Sequence, residues 1–212
     1  MAYDDERPGA PDEALAELLA GNERFVAGTR IHPNQDADHR AALVAAQRPF
    51  AVVFGCSDSR LAAELIFDRG LGDLFVVRTA GQIVGPEVLA SISYGVAVLA
   101  APLVVVLGHD SCGAIAATQD AMRGDAVAVP ELRVIIDRVM PSIELARERG
   151  TAERDGVTAV HVQRTVAMLS EPGTIIGDAV LAGTCLVVGM TYRLADSRVT
   201  VVTPELADGP VR

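Results

Sequence analysis

The chain has 212 residues, of which 50% are hydrophobic but only 4% aromatic, and a formal net charge of −10. This length suits one domain with a sizeable core, in which aliphatic side chains do most of the packing. The acidic balance argues against nucleic acid and anionic membranes as partners, because phosphate groups are bound by an excess of Lys and Arg. No apolar run approaches the ~20 residues that span a bilayer, so we expect no membrane partner.

The three cysteines lie far apart and do not form a disulfide framework. The acidic, Pro-containing start of the chain does not resemble a secretory signal. We therefore expect a cytoplasmic protein whose thiols stay reduced. Residues 1–11 are expected to form a flexible tail, and residues 12–212 a single domain.

The hydrophobic pattern predicts helices that alternate with strands. After a first helix over 12–28 and an extended connection over 29–38, further helices are predicted at 39–47, 61–68, 86–99, 112–123, 131–149, 156–169 and 174–181. Strands are predicted at 50–55, 73–78, 103–108, 185–193 and 199–203. Helical crossovers make the first four strands parallel, whereas the tight turn at 195–197 makes the last pair antiparallel. The predicted fold class is α/β: a mostly parallel central sheet with an antiparallel C-terminal edge strand, helices on both faces and an N-terminal helical arm.

Two of the apolar runs end in residues that bind soft metal ions. Cys56 follows the run 51–55, and His109 and Cys112 follow the run 103–107. Each fragment alone is a weak signal, because a Cys after a strand is most often a small buried hydrophobe. Continuous apolar runs are typical of parallel strands, however, and ligands gather at the carboxyl ends of such strands. Together the three residues predict a zinc site with two thiolates, one imidazole and an open fourth position, as in catalytic sites.

The remaining cysteine and histidines do not extend this pattern. Cys112 gains support from its place at the start of a predicted helix, where the dipole favours a thiolate. Cys185 starts an apolar strand with no ligand beside it, and we interpret it as structural. His32, His39 and His161 lie on loop or helix surfaces by pattern and have no ligand companions.

Asp58 and Arg60 lie two residues apart in the turn after the first apolar run, where a salt bridge is expected. An unpaired carboxylate this close to zinc would take the fourth position, so pairing with Arg60 leaves that position for water. Zinc lowers the pKa of bound water from ~15.7 towards ~7, and we expect Asp58 to orient the zinc-bound hydroxide. The alternative is a salt bridge that only stabilises the turn, worth ~0–1 kcal/mol.

These motifs resemble those of β-class carbonic anhydrases of the actinobacterial type. The similarity covers almost the whole chain and is carried by Cys-Ser-Asp-Ser-Arg at 56–60, Phe-Val-Val-Arg-Thr-Ala-Gly at 75–81, Tyr94, Gly-His-Asp-Ser-Cys-Gly at 108–113 and Val-Gly-Met-Thr-Tyr at 188–192. It implies reversible hydration of CO2 to bicarbonate and a proton, with one Zn²⁺ per subunit on Cys56, His109 and Cys112. It also implies that Asp58 and Arg60 are the catalytic dyad, and that Asp58 can move onto the zinc in an inactive form.

The resemblance further implies a set of substrate-binding residues: Gln35, Phe75, Ala80, Gly81, Tyr94 and Gly113. Gln35 matches a glutamine donated across a dimer interface, so a homodimer is expected, with a tetramer as the larger assembly. The amphipathic helix 13–28 fits this expectation as an arm that wraps a partner. For Phe75 and Tyr94, simple core packing stays open as the alternative.

Two positions depart from the family pattern. Ala80 is smaller than the valine common at that pocket position, and the second departure concerns position 53. Some members bind bicarbonate at a second, regulatory site through a Trp three residues before the first Cys. Val53 stands there and the chain has no Trp, although Arg78 and Tyr192 match other positions of that site.

Other functions remain as alternatives. Relatives on this scaffold hydrolyse COS or CS2. A further hypothesis is a non-catalytic, zinc-stabilised regulatory protein. The intact Asp58 and Arg60 argue against the last of these, since a structural site would fill its fourth position with Cys or His. Nucleotide binding lacks support, because Gly-Gln-Ile-Val-Gly at 81–85 is not a G-x-G-x-x-G turn.

Overall fold

The computed structural model describes residues 7–127 and 129–202. The helices in chain order are α1 Pro11–Ala27, α2 Ala37–Ala42, α3 Ala63–Ile66, α4 Pro86–Ala97, α5 Gly113–Met122, α6 Arg133–Glu148, α7 Arg154–Leu169 and α8 Ile175–Leu181. The strands are β1 Ala51–Cys56, β2 Leu74–Thr79, β3 Leu103–His109, β4 Leu186–Tyr192 and β5 Val199–Val201. Short 3₁₀ turns lie at Ala80–Gln82 and Pro130–Leu132.

The five strands form one sheet in the order β2-β1-β3-β4-β5. The first four are mutually parallel, and only β5 runs antiparallel to β4. This confirms the predicted α/β class and its antiparallel edge strand. In the central pair, Gly55 lies beside Leu107, so β1 and β3 end at the same edge of the sheet.

The central strands β1 and β3 are buried on both faces, as the continuous apolar runs predict. In β1, Val53 belongs to one apolar cluster, while Val52 and Phe54 belong to the other. Helices α1, α3, α5 and α6 contribute to the first cluster, and α4 and α8 to the second. Helix α7 approaches β3 and β4 closely because Val162 lies over two glycines; a Cβ added at Gly108 or Gly189 would stand 2.6 Å from its methyl groups.

Helix α1 packs against its own chain. Its buried residues include Leu18 and the polar Asn22, whose side-chain amide donates to the carbonyls of Ile66 and Ser197 at 3.1 and 3.0 Å. The Asn22 carbonyl oxygen also accepts from the Val199 amide at 2.9 Å. The buried residues of α1 thus pack within the subunit, and Asn22 fits the stripe because its hydrogen bonds are satisfied internally.

Several predicted boundaries change. Helix α2 is shorter than the predicted 39–47 and begins earlier, because the Asp36 carboxylate caps it by accepting from the His39 amide at 2.8 Å. Residues 1–6 of the expected flexible tail lie outside the described residues, and Arg7 donates to the Pro49 carbonyl at 2.6 Å. Residue 203 of the last predicted strand also lies outside. Within the described ranges, no helix has the length and apolarity to cross a membrane.

Candidate active site

Three metal-binding side chains converge at the edge of the sheet where β1 and β3 end. Cys56 is the last residue of β1, His109 the last of β3, and Cys112 the N-cap residue of α5. Their ligand atoms all lie within 4.8 Å of one another. The side chains are buried, with exposed fractions of 5% for Cys56, 0% for His109 and 3% for Cys112.

The short segment between His109 and Cys112 turns the chain sharply. Ser111 adopts a left-handed backbone with φ of 53°, which brings Cys112 back beside the strand end. The Asp110 carboxylate accepts a hydrogen bond from the Leu194 amide at 3.0 Å, and this bond ties the turn to the segment after β4. The two ligands from the second motif are therefore held by backbone geometry.

The environment of His109 fits a metal ligand. The imidazole is fully buried, and neither ring nitrogen has a hydrogen-bond partner within the described part of the chain. Such a buried polar group carries a free-energy cost unless a partner satisfies it. A cation shared with the two nearby sulfurs would satisfy one ring nitrogen, and two thiolates with one imidazole form a donor set suited to zinc.

The two thiols influence each other. As a hydrogen-bond donor, the Cys112 thiol lowers the pKa of Cys56, and burial opposes this effect only in part. The neighbouring Cys56 and burial raise the pKa of Cys112, against the amides of Ile115 and Ala114 at the start of α5. Without a metal, the pair therefore favours one thiolate and one thiol.

Asp58 and Arg60 form a two-pronged ion pair beside this group. Arg60 Nε donates to Asp58 Oδ1 at 2.8 Å and Nη2 donates to Oδ2 at 2.6 Å, while the Arg60 amide donates to Oδ1 at 3.0 Å. These bonds hold the pKa of Asp58 well below its usual range. Asp58 Oδ2 lies 4.0 Å from His109 Nε2, so the carboxylate stands next to the candidate metal ligands while remaining paired with Arg60.

Arg78 holds the backbone that carries Cys56 and Asp58. Its Nε donates to the Cys56 carbonyl at 3.0 Å, and its Nη2 donates to the Asp58 carbonyl at 2.7 Å. Sequence reasoning considered Arg78 only as a match to the regulatory site of some relatives. The other two positions matched to that regulatory site, Val53 and Tyr192, are buried. No local signal indicated the Arg78 contacts, because they depend on the pairing of β1 with β2.

The expected substrate-binding residues divide into two groups. The first group lies beside the candidate metal ligands. The Gly81 amide donates a hydrogen bond to Cys56 Sγ at 3.3 Å. Gly113 follows Cys112, and a Cβ added there would meet no atom within 4 Å. Ala80, next to Gly81, is exposed.

The second group lies elsewhere in the subunit. Phe75 pairs with Val52, four residues before Cys56, and its ring centroid lies 6.0 Å from that of Tyr94. Gln35 is exposed in the connection before α2. The single chain thus brings together the ligand group, the ion pair and the glycines, but not Phe75, Tyr94 or Gln35.

The remaining cysteine and histidines lie apart from the ligand group. Cys185 is buried in the second apolar cluster, and burial raises the pKa of its thiol to about 11. His32 is exposed, and a ring nitrogen of His39 lies 2.9 Å from the Leu71 carbonyl oxygen. The prediction of a surface position was wrong for His161, which is only 4% exposed. It faces α6 and the turn at residue 81, which the pattern of α7 alone did not indicate.

An α/β sheet with a buried Cys-His-Cys group and a carboxylate–guanidinium pair at its strand ends defines a protein with a candidate catalytic metal centre. A family model described as carbonic anhydrase matches residues 51–199. The carbonic anhydrase of Mycolicibacterium smegmatis is 53% identical over 189 residues, which cover 89% of this chain and 92% of that protein. Carbonic anhydrase 2 of Mycobacterium tuberculosis is 50% identical over 188 residues, covering 89% and 91%.

Solved structures show the same fold. The β-carbonic anhydrase CcaA aligns with a TM-score of 0.70 at 22% identity, over 92% of this chain and 97% of that one. One of two tetrameric β-carbonic anhydrases from Sordaria macrospora aligns with a TM-score of 0.69 at 25% identity, over 93% and 98%. The chain therefore belongs to the β-class carbonic anhydrase family and is a lyase, a carbonate dehydratase.

Proposed function

We propose that the chain catalyses the reversible hydration of CO2 to bicarbonate and a proton, with one Zn²⁺ per subunit. The observation that carries this proposal is the buried His109 imidazole, whose ring nitrogens have no hydrogen-bond partner in the described chain, beside two sulfurs and the paired Asp58. Cys56, His109 and Cys112 would hold the zinc. When bound, zinc supplies hydroxide at near-neutral pH by acidifying water.

Asp58 is the group that orients the nucleophile. Its lowered pKa keeps it a carboxylate, so it can only accept hydrogen bonds. Arg60 occupies both carboxylate oxygens from one side, and thereby restrains Asp58 from becoming a fourth metal ligand. In the inactive form that we propose, Asp58 leaves Arg60 and joins the ligand set.

The substrate pocket is completed by a second copy of the chain. Ala80, Gly81 and Gly113 come from the subunit that holds the metal, whereas Gln35, Phe75 and Tyr94 are contributed by the partner of a homodimer. Strand β2 supports this arrangement because it is an edge strand whose apolar side chains are only half-buried. Tyr94 is 45% exposed on the adjoining helix. Two dimers forming a tetramer is the larger assembly that we propose, and the free thiols suit a reducing cytoplasm.

The decisive experiment measures CO2 hydration by stopped flow on protein of known zinc content, with COS and CS2 as competing substrates. We expect stoichiometric zinc, CO2 as the preferred substrate, and a dimer or larger species by light scattering. Preferred turnover of COS or CS2 would assign the chain to the alternative hydrolases. Stoichiometric zinc without any turnover would instead support a regulatory protein.

A further inference from the structure

A buried chain of hydrogen bonds connects helix α7 to the turn beside Cys56. His161 Nδ1 lies 2.8 Å from Ser142 Oγ of α6, and His161 Nε2 lies 2.9 Å from the Gly81 carbonyl oxygen. Arg164 Nη1 in turn donates to Ser142 Oγ at 2.8 Å. Ser142 and His161 are 0% and 4% exposed, so both bonds of the His161 ring are shielded from water.

The donors and acceptors of this chain are fixed by its two ends. Arginine only donates, and a carbonyl oxygen only accepts. Ser142 therefore receives the Arg164 hydrogen and gives its own hydroxyl proton to His161 Nδ1. His161 keeps its proton on Nε2 and donates it to Gly81. Burial lowers the pKa of His161, consistent with this neutral tautomer.

The turn that His161 contacts has a left-handed backbone at two successive residues. Gly81 has φ of 70° and ψ of 22°, and Gln82 follows with φ of 38°, which is uncommon for a residue with a side chain. A Cβ added to Gly81 would stand 2.7 Å from the Ala114 Cβ. At a residue with a side chain, such as Gln82, this conformation persists only where surrounding contacts hold it. The amide of the same Gly81 donates to Cys56 Sγ at 3.3 Å.

We propose that His161 is a positioning residue, which holds the Gly81 carbonyl and thereby fixes the turn in which the Gly81 amide donates to the Cys56 sulfur. This hydrogen bond withdraws charge from the thiolate and orients it toward the metal, as partners behind metal ligands do in other sites. The inference rests on the proposed metal site and adds a histidine that acts on the ligand Cys56 through Gly81.

A nucleophilic role for the Ser142–His161 pair does not fit the same contacts. The Ser142 hydroxyl is fully buried, and its oxygen already accepts from Arg164. A substrate could not reach it without opening the contact between α6 and α7.

The test compares His161→Gln with His161→Met. The two replacements have nearly the same length and shape, but only glutamine carries an N–H at the position of the histidine Nε2. Zinc dissociation constants are measured by competition with a chromophoric chelator. The sulfur-to-metal charge-transfer band is recorded on Co²⁺-substituted protein, and kcat and KM for CO2 are measured separately.

We expect His161→Met to weaken zinc binding about 10-fold and to move the Co²⁺ band to longer wavelength, because the thiolate loses its hydrogen bond. His161→Gln should stay within about threefold of the parent protein, with its band near the parental position. The kcat of the Met variant should fall while KM changes little.

Ser142→Ala provides a second test if the histidine variants do not fold. It removes the hydroxyl that donates to His161 Nδ1, so the imidazole proton is no longer fixed on Nε2. We therefore expect weaker zinc binding and a shift of the Co²⁺ band in the same direction. Thr118→Val is its control, since among the described residues the buried Thr118 hydroxyl bonds only the Ala114 carbonyl of its own helix. Equal zinc affinity and spectra for the Gln and Met variants would overturn the inference. A parent protein that binds neither metal would instead overturn the proposed function.

Discussion

Replacing Arg60 with Met separates the two explanations of the Asp58–Arg60 pair. Methionine keeps much of the unbranched stem but removes the guanidinium, and with it the bonds of 2.8 and 2.6 Å to the carboxylate. If the pair only stabilises a turn, its loss affects unfolding alone. If it restrains Asp58 beside the metal ligands, its loss affects catalysis far more than stability.

The structure sets the two magnitudes apart. The Arg60 side chain is 51% exposed, so solvent screens the pair, and its loss should change the free energy of unfolding only slightly. Positioned groups that handle a proton contribute about 100-fold or more to turnover. Since a tenfold rate change corresponds to about 1.4 kcal/mol, we expect a catalytic loss of about 2.7 kcal/mol or more.

Stopped-flow CO2 hydration and urea unfolding, on samples matched for zinc content, measure the two effects. Arg123→Met is the control, because Arg123 pairs with Asp120 on an exposed surface of α5 and its side chain is 60% exposed. The control should retain full activity. An Arg60→Met variant with full zinc and a kcat/KM within threefold of the parent would refute the role of the pair in catalysis.

Three further predictions concern Cys112, the Asp58–Arg60 pair and the buried carboxylate of Asp68. Cys112→Ser should lose zinc and melt at lower temperature, as shown by elemental analysis and calorimetry, because metal binding stabilises the folded state. The Asp58 carboxyl signal in NMR should not titrate between pH 7 and 4; in the Arg60→Met variant its midpoint should rise. The stability from this pair is present above the unfolded pKa of ~3.9 and is lost as pH falls through the lowered folded pKa. Asp68→Ala should lower the free energy of unfolding by about 3 kcal/mol in urea, since the buried carboxylate accepts from Arg24 at 2.7 Å.

The convergence of Cys56, His109 and Cys112 could be predicted because it follows from a local pattern and one topological rule. Each apolar run indicated a strand buried on both faces, and parallel strands present their carboxyl ends together. The observed register places Gly55 beside Leu107, as this rule requires. No long-range information was needed beyond the parallel order of the strands.

The contacts of Arg78 and His161 could not be predicted in the same way. Arg78 reaches the Cys56 carbonyl only because β2 lies in register with β1. His161 lies 80 residues from its Gly81 partner, and its burial depends on how α7 packs against α6. The helical pattern of α7 is compatible with several faces turned inward, so the sequence of the helix alone did not identify the buried one.

Charge balance explains why the paired form of Asp58 suits this site. Two thiolates neutralise a divalent cation, so the buried Cys56, His109 and Cys112 would hold zinc with no net charge. A free Asp58 carboxylate beside them would add one negative charge close to a buried centre, which is costly unless it is paired. The Arg60 guanidinium neutralises this charge. Its own desolvation costs little, because half of the Arg60 side chain stays in water. The pair therefore places a hydrogen-bond acceptor next to the metal ligands without adding net charge. An isolated carboxylate at the same position would be drawn toward the cation.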